Sequence, residues 1–186
     1  MSGDRKVEVR LAGFGGQGIV LAGMILGKAV TLYEGANAVM TQSYGPEARG
    51  GACSADVVIS RRRIDYPRVN VPDMLVLMSE EAARTYGSNI SAQGQVLVNQ
   101  DLVKTLPRGS SLRILEVPAT GLAETLGRVI VANIVMLGFI TAVGGIVGFE
   151  AMERAVLDSI PRGTESLNLS AFQAGYEHGL AAVEGK

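Results

Sequence analysis

The run Gly13-Phe14-Gly15-Gly16-Gln17-Gly18 constrains this chain more than any other stretch. It lies between the apolar alternation Val7-Glu8-Val9-Arg10-Leu11-Ala12 and the helix-forming Ile19-Val20-Leu21-Ala22. The backbone therefore passes from strand through a tight glycine turn into a helix, the setting in which a G-x-G-x-x-G is informative. Glycine permits the sharp turn and lets a phosphate, or another chain, come close to bare N–H groups at the helix start. Gly13, Gly15, Gly16, Gln17 and Gly18 are accordingly candidate ligand residues.

An NAD site would place a carboxylate about 20 residues further on, at the tip of the second strand, to bind the ribose hydroxyls. The second strand here reads Asn37-Ala38-Val39-Met40-Thr41-Gln42 and ends in Ser43-Tyr44-Gly45-Pro46. Glu34 comes before that strand and Glu47 after a Gly-Pro turn, so no carboxylate stands at the tip. A self-standing nucleotide-binding protein or NAD-linked reductase stays open as an alternative, but the residues disfavour it.

Strand and helix patterns alternate over the first two thirds. Strands are expected at Val7–Ala12, Asn37–Gln42, Ser54–Ser60, Asp73–Met78, Gln95–Asn99 and Leu112–Val117. The pattern predicts one helix over Ile19–Tyr33, with Ile19, Ala22, Leu26 and Val30 inward and Gly23 and Gly27 allowing close approach to a neighbour. Ser79 reads as an N-cap, with Glu80 and Glu81 suited to the helix dipole. Helices are expected at Thr120–Gly127, Ala132–Val143, Phe149–Ser159 and Ser170–Val183, the last docking on the body or on a partner through a stripe of Phe172, Tyr176, Leu180 and Val183. The whole reads as one α/β domain over residues 1–186, a doubly wound, mostly parallel sheet with a glycine turn after the first strand and a helical C-terminal third.

Composition narrows the function. Hydrophobic residues make up 47% and charged residues 19%, an oily surface that favours burial in an assembly. Seventeen Lys and Arg nearly cancel 18 Asp and Glu, so no electrostatic footprint for nucleic acid exists. The 21 uncharged residues Val129–Phe149 are long enough to span a bilayer. Gly144-Gly145 breaks that run, and a buried helix followed by a glycine turn fits it better than a membrane span. Met1-Ser2-Gly3-Asp4-Arg5-Lys6 has no signal-peptide core, and the chain reads as cytoplasmic.

Cys53, the single cysteine, cannot by itself hold an iron–sulfur cluster or a structural zinc, and it reads as a small core residue. His178 is the only histidine and lies on the last helix, where it reads as a surface or hydrogen-bonded residue in preference to a catalytic one. Arg61-Arg62-Arg63 reads as a solvated hairpin turn, with a docking patch for an acidic ferredoxin as the sharper alternative. The stretch Tyr44-Gly45-Pro46-Glu47-Ala48-Arg49-Gly50-Gly51 is the chemically rich loop. In one reading Arg49 grips a phosphate or carboxylate that Tyr44 and Glu47 position; in the other the loop is shaped to pack against another subunit.

These motifs carry a resemblance. The glycine turn followed by Ala22-Gly23, the Gln42–Gly51 stretch, Ile64-Asp65-Tyr66-Pro67 with Pro72-Asp73, and Ala132-Asn133-Ile134-Val135-Met136-Leu137-Gly138 occur in the order seen in gamma subunits of 2-oxoacid:ferredoxin oxidoreductases. The chain resembles that family over roughly residues 7–155, and within it is most similar to the 2-oxoglutarate synthase subunits, with the 2-oxoisovalerate and pyruvate enzymes next. The resemblance implies a thiamine diphosphate enzyme that decarboxylates a 2-oxoacid, passes electrons to ferredoxin and forms an acyl-CoA. It also implies that thiamine diphosphate, Mg2+ and iron–sulfur clusters sit on partner subunits: a thiamine-binding, a pyrimidine-domain and a ferredoxin-like subunit. Coenzyme A would be a co-substrate, with the loop of Tyr44, Gly45, Pro46, Glu47, Arg49, Gly50 and Gly51 toward it or the cofactor. The chain would be inactive alone and would form a homodimer when isolated.

Overall fold

A computed structural model of the protein describes residues 6–44, 51–109 and 111–185. Six strands form one sheet: β1 (Val7–Phe14), β2 (Asn37–Ser43), β3 (Ala52–Ser60), β4 (Met74–Leu77), β5 (Gln95–Asn99) and β6 (Arg113–Val117), in the order β2-β3-β1-β4-β5-β6. The pairings β1–β4, β4–β5 and β5–β6 are parallel, whereas β3 is antiparallel to both β1 and β2. The sheet is therefore mostly parallel, as the alternating pattern predicts. The position beside β1 where a dinucleotide fold puts its second parallel strand is taken by β3, which removes the geometry in which a strand-tip carboxylate would reach a ribose.

Helices cover both faces unequally. The larger core gathers Val9, Leu11, Val57, Ile59, Val76 and Leu97 from one face under α1 (Ile19–Lys28), α3 (Ala119–Thr125), α4 (Ala132–Gly144), α5 (Phe149–Leu157) and α6 (Glu165–Glu184). The opposite face packs Leu75, Leu77, Val96 and Val98 under α2 (Glu80–Tyr86), whose Ala82 and Ala83 are buried. Alternation along each strand produces this division, because successive side chains point to opposite faces. The expected helix over residues 19–33 is continuous in space but changes winding. It is α-helical to Lys28 and closes in a π-helical turn over Ala29–Tyr33.

The long uncharged run is folded as expected, into a short 3-10 turn (Val129–Val131), the buried helix α4, and a turn in which Gly145 is left-handed at φ 60°. Among the described residues no helix is long and apolar enough to cross a membrane. Arg61, Arg62 and Arg63 are exposed, but they do not form a hairpin turn. β1 lies between β3 and β4, so the chain leaving Ser60 passes β1 over residues 61–73, where the Val69 carbonyl accepts from Arg10, before re-entering the sheet.

The helix line of α6 also differs from the sequence stripe. Phe172 is buried, but Leu180 and Val183 are 39% and 41% exposed. The buried line runs instead through Asn168, Ala171, Phe172, Gly175 and Gly179. A Cβ on Gly175 would lie 1.8 Å from the Val135 carbonyl oxygen, and one on Gly138 would lie 2.0 Å from that of Phe172. The two helices meet backbone to backbone, so the docking line follows absent side chains rather than large apolar ones. A Cβ on Gly23 would likewise lie 2.7 Å from Ala55 Cβ, whereas one on Gly27 would meet open space.

Ser79 caps α2 as expected, its Oγ accepting from the Ala82 N–H at 3.2 Å. Glu80 reaches across to the turn after β5, where it accepts from Thr105 Oγ1 (2.6 Å) and from the backbone N–H groups of Lys104 (2.7 Å) and Thr105 (3.0 Å). These donors stabilise the carboxylate and hold its pKa down at about 2, below the ordinary 4.5. A depressed acid contributes stability that is complete above its unfolded pKa and lost as pH falls through the folded one. Urea midpoints of the wild type should therefore fall between pH 5 and pH 2 more steeply than those of Glu80→Gln; equal slopes would show that this anchor contributes nothing.

Candidate functional site

The glycine turn lies at the C-terminal edge of β1, and two kinds of glycine build it. Gly13 and Gly18 are packing positions: a Cβ on Gly13 would sit 2.4 Å from Gln17 Oε1, and one on Gly18 would sit 2.3 Å from Asn133 Nδ2. Gly18 also takes a left-handed φ of 72°, and Gly16 one of 97°, conformations that favour glycine. Gly15 and Gly16 have open space where a side chain would be. Gln17 braces the turn from inside, accepting from the Phe14 N–H at 2.9 Å and donating from Nε2 to the Met78 carbonyl at 2.9 Å. Asn133, at the start of α4, donates to the Gly18 carbonyl at 3.2 Å. Gly18, the N-cap residue of α1, has no side chain with which to cap the N–H groups of its first turn.

Before this turn lies a cavity of about 350 Å³, walled by Phe14, Gly16, Met78, Leu102, Thr120 and Ile130. Met78, Leu102 and Thr120 follow the C-terminal ends of β4, β5 and β6, the side of an open α/β sheet where ligands bind. A second cavity of about 300 Å³ lies across Ile130, between Gly18, Arg128, Asn133 and Asn168. Val129 and Ile130 stand 52% and 59% exposed between them. The wall is apolar with few polar groups, so it suits an organic moiety.

The sequence reading singles out the turn but not this wall. Thr120 falls in a predicted helix, while Met78 and Ile130 lie in apolar runs whose outward positions cannot be told from inward ones without the sheet order. Asn133 was visible as part of a motif, but its bond to Gly18 was not.

The loop after β2 is brought to the same place at its ends. Phe14 pairs with Ala52, and Ser43 with Ser54, so Tyr44 and Gly51 flank the sheet edge that carries the glycine turn. Tyr44 is exposed and Gly51 buried. Gly45, Pro46, Glu47, Arg49 and Gly50 lie outside the described residues. Cys53 is buried in the larger core, and desolvation pushes its thiol pKa up, as suits an inert core residue. His178 is half-buried against the ring of Phe139, at a centroid distance of 5.9 Å. Glu34 has a structural role: its Oε1 accepts from the Gly148 N–H at 2.8 Å, at the start of α5.

Comparison with known proteins agrees with this architecture. The sequence profile of the pyruvate ferredoxin/flavodoxin oxidoreductase family matches residues 8–178. The 2-oxoglutarate synthase subunit KorC of Methanothermobacter thermautotrophicus is 52% identical over 176 residues, covering 91% of this chain and 93% of that one. The crystal structure of a keto/oxoacid ferredoxin oxidoreductase gamma subunit from Geobacter sulfurreducens superposes with a TM-score of 0.85 at 42% identity, covering 95% of this chain and 99% of that one. A chain of the 2-oxoglutarate:ferredoxin oxidoreductase of Magnetococcus marinus shares the fold at a TM-score of 0.85 and 18% identity, covering 96% of this chain and 32% of that longer one. The alternative of a self-standing nucleotide-binding protein or NAD-linked reductase finds no support in these likenesses. The chain belongs to the pyruvate ferredoxin/flavodoxin oxidoreductase family, as one of its gamma-type subunits.

Proposed function

We propose that the chain serves in a thiamine diphosphate-dependent complex that decarboxylates 2-oxoglutarate, passes the electrons to ferredoxin and forms an acyl-CoA. The observation that carries this reading is the near-full-length likeness to a 2-oxoglutarate synthase subunit. Thiamine diphosphate, Mg2+ and the iron–sulfur clusters belong in this reading to a thiamine-binding, a pyrimidine-domain and a ferredoxin-like subunit. The sequence supports that division, because one buried cysteine cannot ligate a cluster and no Gly-Asp-Gly thiamine motif is present. This chain's own part is to close one side of the active site. Its glycine turn would offer backbone N–H groups to an anionic group of coenzyme A, and Arg49 would neutralise that group from the loop. Without its partners the chain pairs with itself, since apolar surface made for an assembly finds a symmetric substitute.

Reconstitution tests the proposal. The purified chain alone should show no viologen-linked oxidation of 2-oxoglutarate, and adding the partner subunits should produce it; activity of the single chain would overturn the reading. In the same assay Arg49→Ala should assemble normally and raise the coenzyme A requirement about ten- to a hundredfold, as loss of one charge-assisted contact of roughly 1.5–3 kcal/mol implies. Failed assembly with an unchanged requirement would make the loop an interface element instead.

A further inference from the structure

The two edges of the sheet differ in character. β6 carries Arg113 and Glu116, both exposed, and charge on an edge strand discourages further pairing. β2 reads Asn37-Ala38-Val39-Met40-Thr41-Gln42-Ser43, with neither charge nor proline, and among the described residues no strand pairs with its outer side. A natural protein seldom leaves such an edge bare. Alongside it runs a groove of about 580 Å³ lined by Met24, Gly27, Leu32, Ala38 and Met40. Met24 and Leu32 are 48% and 65% exposed there. Lys28 and Asp158 at its rim already pair with each other at 3.7 Å, so the groove presents no unmatched charge of its own.

We propose that a second copy of this chain covers this edge, its β2 adding antiparallel to the first about a two-fold axis perpendicular to the sheet. Such an axis keeps every side chain on its own face. Paired residues must share a face, so one residue of the strand has to oppose its own copy. With Met40, the middle of the seven, in that place, Val39 opposes Thr41, Ala38 opposes Gln42 and Asn37 opposes Ser43. β-branched residues meet each other, polar amide meets hydroxyl, and no like charges are brought together. An uncharged, self-matching strand suits a copy of itself better than an acidic or basic partner.

The area required agrees with the position of the groove. A stable interface takes about 800 Å² from each partner, under a tenth of the 9208 Å² surface of this chain. Seven residues of strand edge fall short of that, and the outward row of α1 and its π-helical turn supplies the rest. Gly27 leaves open space in that row, so the two copies of α1 can approach side by side on the continuous sheet.

This inference rests on the reading that the isolated chain pairs with itself, and it names the surface. The test uses the full chain without partners in sedimentation velocity at micromolar concentration. The wild type should sediment as a dimer, and Leu32→Glu should raise its dissociation constant at least tenfold while leaving the circular dichroism spectrum unchanged. In Met40→Cys the two introduced thiols oppose each other and should form an intermolecular disulfide under mild oxidation. A monomeric wild type overturns both self-pairing and this surface. A dimer that ignores Leu32→Glu and gives no Met40→Cys cross-link overturns the β2 edge alone, and leaves self-pairing and the function proposed above intact.

Discussion

Gly175→Ala should lower the stability of this protein by about 3 kcal/mol, although alanine is the better helix former by about 1 kcal/mol. The added methyl would lie 1.8 Å from the Val135 carbonyl oxygen and 3.1 Å from the Phe139 N. Both contacts are backbone, so no rotamer change relieves them, and α6 has to move off α4. Overpacking of a well-filled core costs roughly 1–3 kcal/mol, and separating two helices that share the buried Phe139 and Phe172 adds lost packing to that. For a chain of this size the midpoint of thermal unfolding should drop by roughly 6–12 °C. Gly138→Ala strikes the same seam from the other helix, at 2.0 Å from the Phe172 carbonyl oxygen. The double variant should lose less than the sum, since one opened gap accommodates both methyls. Gly121→Ala in α3 is the control: its Cβ would come no nearer to a neighbour than an ordinary 3.6 Å, to Asp101 Oδ2, and the midpoint should hold or rise. Equal behaviour of Gly121 and Gly175 would refute the close-packed seam.

A loss of comparable size is expected at the opposite face of the sheet. Arg10 on β1 and Asp56 on β3 form a two-pronged ion pair, Nε to Oδ1 at 2.7 Å and Nη2 to Oδ2 at 2.6 Å. Their side chains are only 10% and 14% exposed. Arg10 also donates to the Val69 carbonyl at 2.9 Å and lies 5.4 Å from the centre of the Tyr86 ring, so it ties the 61–73 crossing and α2 to the sheet. Asp56→Ala should cost about 3–5 kcal/mol, because it leaves a guanidinium in a poorly hydrated place without its counter-charge. Arg10→Met in the same background should recover part of that loss. Recovery will be incomplete because the Val69 carbonyl is then left without its donor. A double-mutant cycle by urea denaturation measures both statements. Additive single effects would mean that the pair is screened by water and contributes little.

What the residues reveal in advance, and what they hide, follows from the kind of interaction involved. Strand positions and the two-faced sheet are written in short-period alternation, which survives reading one segment at a time. The glycine turn was legible because glycine spacing between strand and helix has few other uses. The order of the strands was not legible, since whether β3 returns beside β1 depends on the pairing of Val9 with Val57 and not on either segment alone. The line along which α6 docks on the body is hidden for a related reason. Leu180 and Val183 form an apolar stripe in sequence, yet the energetic contact is made by Gly175 and Gly179, whose contribution is the absence of a side chain. At the candidate site, the turn was visible and its wall was not, because Met78, Leu102, Thr120 and Ile130 come together only once three parallel strands end at one level.

The glycine turn is held by partners far along the chain: Gln17 is fixed on Met78, 61 residues away, and Gly18 on Asn133, 115 residues away. The consequence is one of timing. While the polypeptide is being made, β1 and its turn leave the ribosome long before α4 exists, and the loop-closure entropy of so distant a contact delays it further. During that interval Gly18 has no Asn133 amide to lean on, and the part of the cavity wall that Ile130 supplies is missing. The glycine turn and the cavity before it are thereby completed only once the C-terminal third has been synthesised and packed.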